Sequence, residues 1–74
     1  MTVTIKKHTS ATYRASNGTA HFGQFKRVGR EWHAEIRKTE TGQNWSRDVL
    51  VRYAGIWDRK ADAVEEIEYI LANI

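Results

Sequence analysis

The chain of 74 residues predicts an α+β fold, an antiparallel β-meander of four to five strands with one C-terminal amphipathic helix packed on one face. Three observations carry this expectation. Segments rich in β-branched and aromatic residues are separated by Asn17-Gly18, Gly29-Arg30 and Thr41-Gly42, pairs of the kind that close hairpins. Residues 58–73 switch to a helical period. The charge divides at the same boundary: residues 1–57 hold ten Lys or Arg against four Asp or Glu, a net of +6, and residues 58–74 hold two against five, a net of −3, summing to the formal +3.

Taken in order, Val3 and Ile5 alternate with Thr2, Thr4 and Lys6, which predicts a short first strand at a sheet edge. Asn17-Gly18 predicts a type I′ turn between Ala11–Ser16 and Thr19–Val28, because both central residues of that turn need positive φ. Gly29-Arg30 suits a type II′ turn leading into Trp32–Lys38. Thr41-Gly42 then leads to Trp45–Tyr53, whose Trp, Val and Tyr content is strand-like. Ala54-Gly55 breaks the pattern, so the sheet is expected over residues 1–53. Asp58 is placed to cap the helix, Trp57 to staple its first turn, and Asp62 to sit at its positive end. At about 100° per residue, Ala63, Val64, Ile67, Ile70, Leu71 and Ile74 fall on one arc. A small closed barrel plugged by the helix is the alternative architecture.

Strand parity puts Trp32, Ala34 and Ile36 on the helix-facing side and Glu31, His33, Glu35 and Arg37 on the other. A two-residue turn at Thr41-Gly42 would set Trp32 opposite Val51 and Ala34 opposite Val49, sending Leu50 and Arg52 outward. The Gly29-Arg30 turn sets Ala34 opposite Phe25. Phe22 and Phe25 are three apart, so either a bulge at Gly23 turns Phe22 inward or Phe22 lies on the outer face opposite Tyr13.

One domain covers residues 1–74, and a chain this short has one core and no deep interior. It has no Cys, so packing and hydrogen bonds alone must hold it, and a reducing, cytoplasmic location is expected. No apolar run has the length of a signal peptide or a membrane span, so no membrane partner is expected. His8, His21 and His33 lack ligand spacing and have no Cys to join them, so neither a metal nor a cofactor is expected. His33 and Glu35 share a strand face, but i,i+2 polar neighbours are common there. No catalytic residue is assigned and enzymatic activity is not expected.

Binding is the remaining class. An outer face mixing Tyr13, Phe22, Lys26, His33, Arg37 and Arg52, with Arg30, Lys38 and Arg47 near the hairpin ends, can stack single-stranded bases or enter a duplex groove. Glu31, Glu35 and Asp48 share that surface and oppose phosphate. The leading expectation is a small non-enzymatic nucleic-acid-binding or accessory regulatory protein, in a size and style common among phages and mobile elements. The alternative is a protein-binding adaptor or inhibitor using the sheet edge or the acidic helix face, with Trp45, Asp62, Glu65, Glu66 and Tyr69 as contacts. The sequence leaves the oligomeric state open.

From about Gln24 onward, Gly29-Arg30-Glu31-Trp32, Ile36, Thr41-Gly42 and the Asp62-Ala63 stretch give a layout that resembles AP2-type domains and the N-terminal domains of some tyrosine integrases. The resemblance covers about two-thirds of the chain and is architectural. It implies an outer sheet face that reads a DNA major groove through His33, Arg37, Arg47 and Arg52. Glu31, Glu35, Asp48 and the extra N-terminal hairpin depart from those families.

Overall fold

The computed structural model describes residues 3–74, so Thr2 in the expected first strand lies outside the described residues. Five strands run in chain order across one antiparallel sheet: β1 (Thr4–Lys7), β2 (Thr12–Ser16), β3 (His21–Val28), β4 (Glu31–Thr41) and β5 (Ser46–Trp57). The helix α1 (Lys60–Ala72) follows and packs across β2 to β5. The α+β meander is therefore the fold, with an open sheet and β1 and β5 at its two margins.

The Gly29-Arg30 turn forms as its residues dictate. Val28 faces Glu31, Gly29 has φ +64° and Arg30, like every other described residue that is not Gly, has negative φ, the pattern of a type II′ turn. That register sets Phe25 opposite Ala34 and so fixes the core. Phe25, Ile36 and Ile67 are fully enclosed, with Ala15, Ala34, Ile70 and Leu71 around them. Trp32, on the helix-facing side as strand parity predicts, packs half-buried at one end with Tyr13 and Trp57. Gly23 lies on the same face, where Ile67 of the helix presses against its backbone. Of the apolar arc, Ala63, Ile67, Ile70 and Leu71 are buried and Val64 is partly so. Ile74 lies past the helix end and is exposed.

Three local expectations are corrected. Asn17-Gly18 is not a two-residue turn. Asn17 Oδ1 accepts hydrogen bonds from the Thr19 amide and hydroxyl at 3.2 and 2.7 Å, an Asx arrangement that leaves Asn17 at ordinary φ. Only Gly18 turns left-handed, at φ +90°. The loop widens, so Ser16 pairs with Phe22 and Tyr13 with Phe25.

The β4–β5 hairpin differs likewise. Thr41 faces Ser46 across a loop closed by the Gly42 amide donating to the Trp45 carbonyl at 2.8 Å. The Trp45 indole folds onto Gly42, leaving no room there for a Cβ. The strand runs through Ala54-Gly55 to Trp57, with two bulges: Ala54 and Val51 are each inserted between paired residues. Trp32 consequently faces Trp57, and Ala34 faces Gly55, instead of Val51 and Val49. Arg52 faces Ile36 and lies toward the helix side, not outward.

Because Trp57 stays in the sheet, the helix starts later than Asp58. Arg59 is the N-cap, without a side-chain capping bond. Its Nε instead pairs with Asp62 Oδ2 at 3.1 Å, keeping Asp62 in the first turn where the helix dipole favours an anion.

Candidate functional site

The outer face shows why charge counting along a strand is insufficient. Phe22 alternates correctly with Phe25, β3 pairs without a bulge on both sides, and Phe22 therefore sits on the outer face. It is nevertheless only 7% exposed and stands apart from the core cluster. The Arg14 guanidinium covers it, 4.7 Å above the ring centroid. Arg14 also accepts no freedom on its charged side: it donates to Gln24 Oε1 and to Asp48 Oδ2, each at 3.0 Å.

That second bond joins β2 to β5. On a flat sheet the two residues would be about 14 Å apart across the strands and about 13 Å along them, beyond the span of Arg and Asp side chains. The sheet must curl toward its outer face along that diagonal, as a twisted sheet does. Around the same Asp48, Thr39 Oγ1 donates to Oδ1 at 3.1 Å and Arg37 donates to the backbone carbonyl at 3.2 Å. Arg37 also pairs with Glu35 at 3.0 Å. Arg37, expected to meet phosphate here, and Arg14 beside it are thus neutralised by Glu35 and Asp48, two of the acids expected to repel it.

The other named residues are scattered. Arg47 pairs with Glu40 at the β4–β5 hairpin tip and lies 5.4 Å from the half-exposed Trp45 ring. Lys38 faces His21 on the helix side, and Arg30 is exposed in its turn. Tyr13 is not outward: it stacks on Phe25 at 5.6 Å on the helix side. On the helix, Asp62 is held by Arg59, Glu65 and Tyr69 are exposed, and Glu66 is partly buried. Among the described residues no three His, Cys, Asp or Glu side chains come together as a metal set. No helix there is long and apolar enough to cross a membrane.

Two groups of side chains do come together. The first surrounds the β1–β2 hairpin. Its outer side is an open groove of about 600 Å³ lined by Lys6, Lys7, His8 and Arg14 with Thr4, Ser16, Asn17 and Gly18. On the helix side lies a groove of about 540 Å³ lined by Ser10, Ala11, Tyr13, Arg27, Gly29, Trp32 and Lys60. No carboxylate lines either groove. In the second, Tyr13 and Trp32 supply aromatic surface beside cations, and Lys60 Nζ stands 4.1 Å above the Tyr13 centroid.

The second group is an apolar stripe on β5. A regular strand brings residues two apart to one face, but the bulges at Val51 and Ala54 stretch that interval to three. Leu50, Tyr53 and Ile56 therefore face outward together, opposite Arg37, Glu35 and His33. Tyr53 is 79% exposed. Beside it Lys26, His33 and Glu35 line a shallow groove with Tyr53 and Ile56. Among the described residues the buried His33 Nε2 there has no hydrogen-bond partner, and the Glu31 carboxylate stands 3.6 Å away.

No family model, curated protein or solved structure matches this chain. Sequence reasoning did not single out Lys6, Lys7, Lys60 or Tyr53. The first two are legible only once β1 is seen to pair with β2, which sets Lys7 opposite Tyr13. Lys60 requires knowing that the helix starts beside the β1–β2 loop, and Tyr53 requires the bulges.

Proposed function

We propose that the protein is a non-enzymatic nucleic-acid-binding module that works through the β1–β2 hairpin. The observation that carries the reading is the pair of acid-free grooves flanking that hairpin, one of them with Tyr13 and Trp32 among its cations. Phosphate backbones need clustered cations not already paired, and unstacked bases need aromatic surface. Lys6, Lys7, Arg27 and Lys60 have no carboxylate partner among the described residues. Arg14, Arg37, Arg47 and Arg59 all do.

Fluorescence anisotropy with a labelled oligonucleotide tests this. If four phosphates are met, affinity for a single strand falls about fifty-fold as salt rises from about 50 mM to about 200 mM. Lys6→Glu with Lys7→Glu, both on exposed β1 positions, weakens binding at least tenfold. These are better probes than Arg37, whose removal strands Glu35. Absent binding at low salt, or an affinity indifferent to both changes, rejects the reading.

A second reading, a protein-docking module, is favoured by the Leu50, Tyr53 and Ile56 stripe. It fits a partner presenting apolar side chains, with a carboxylate for Lys26, which no described carboxylate pairs. Tyr53→Ser should then release a captured partner that the Lys6→Glu, Lys7→Glu protein retains. The reverse pattern would reject docking at the stripe.

A further inference from the structure

We propose that the groove beside Lys60 receives one unstacked base of a single-stranded nucleic acid, and that Lys60 occupies this place when no strand is bound. The inference rests on the nucleic-acid reading and adds to it strandedness and a named base platform.

Tyr13, Phe25 and Trp32 form a continuous aromatic cluster, with ring centroids 5.6, 6.1 and 5.9 Å apart. Lys60 Nζ is set against all three, at 4.1 Å from Tyr13 and 6.0 and 5.9 Å from Phe25 and Trp32. Phe25 is enclosed, so the surface offered to solvent belongs to Tyr13 and Trp32, both half-buried.

Lys60 is weakly anchored. It is the first residue of α1, where the helix dipole opposes a cation. None of the described carboxylates pairs with it. Its direct contacts are ring faces rather than a carboxylate, and a cation–π contact at a solvent-accessible site is worth less than stacking a base on an aromatic ring. When a strand arrives, the exchange is favourable on both sides. The base takes the Tyr13 and Trp32 surface, and the released ammonium meets a phosphate.

Arg27 is ready for the same backbone. Its Nε donates to the Gly29 carbonyl at 3.0 Å, which fixes the guanidinium, and no described carboxylate pairs with its terminal amino groups. A duplex cannot use this site, because its bases are stacked and paired away from a side groove. The selected ligand is therefore single-stranded.

The wild-type protein tests this without any substitution. It is titrated with an oligothymidylate, with an abasic strand of the same length, and with a duplex, following anisotropy and intrinsic Trp fluorescence. The expected result is at least tenfold tighter binding of the oligothymidylate than of the abasic strand or the duplex, with Trp quenching only by the strand that has bases. Lys60→Met should keep the quenching while lowering the salt slope by about 0.7, one phosphate contact on a single strand. Equal binding of based and abasic strands, or duplex binding as tight as single-strand binding, overturns the inference and leaves the nucleic-acid reading standing. Binding to none of the three overturns both.

Discussion

Phe25→Ala should cost about 3–5 kcal/mol. A 74-residue chain has only about 4–11 kcal/mol in total at typical stability per residue. Phe25 is 1% exposed and sits where β2, β3, β4 and α1 converge: Tyr13 stacks on it, Trp32 packs against it and Ala34 faces it. The chain has no disulfide to limit the unfolded state. Thermal unfolding followed by circular dichroism should show a midpoint lowered by at least about 15 °C, or no folded baseline at room temperature. A loss under about 1 kcal/mol would mean that the core is not organised around this ring.

Gly23→Ala should destabilise by about 1–3 kcal/mol although it adds a single methyl. A Cβ at this position would overlap Ile67 Cγ2 and stand 2.9 Å from Cδ1 and 3.0 Å from Cγ1. Ile67 is fully buried and cannot move aside without displacing α1 from the sheet. Gly23 has no positive φ to protect, so the effect is one of space alone. Adding Ile67→Val removes Cδ1, though it leaves Cγ2 in place. The double variant should therefore recover part of the loss rather than sum the two costs, as expected of residues in contact. Strict additivity in urea unfolding would contradict the close approach.

The two corrected loops show which parts of the fold could be read from residues alone. Gly29-Arg30 fixed a register because a two-residue turn admits one pairing, and Phe25 opposite Ala34 follows directly. The helix was legible because its buried residues recur at the spacing of a single element. Asn17-Gly18 misled because the same Asn that favours positive φ also has a side chain able to close a wider loop by itself. The bulges at Val51 and Ala54 left no compositional mark, and each shifts parity for every residue beyond it.

For Phe22 strand parity left both faces open; the unbulged strand puts the ring on the outer face, opposite Ser16 rather than Tyr13, and it is buried there all the same. What covers the ring is Arg14, held by Asp48 from a strand three positions away in the sheet. Such long-range charge matching decides which arginines are free for phosphate, and strand-by-strand reading does not contain it. The same limit hid the grooves around the β1–β2 hairpin, which are made by β1, β2, β3, β4 and the start of α1 together.

The bulges in β5 have a further consequence for how the molecule behaves when crowded by its own copies. Polymerisation by strand addition requires a long, regular row of free amides and carbonyls. On β1 that row is four residues long and carries Lys6 and Lys7, whose like charges repel an incoming copy. On β5, twelve residues long, the inserted Val51 and Ala54 interrupt the row twice. A second chain would lose register within a few residues. The irregularity that gathers Leu50, Tyr53 and Ile56 on one surface thus also keeps that greasy margin from seeding a fibril.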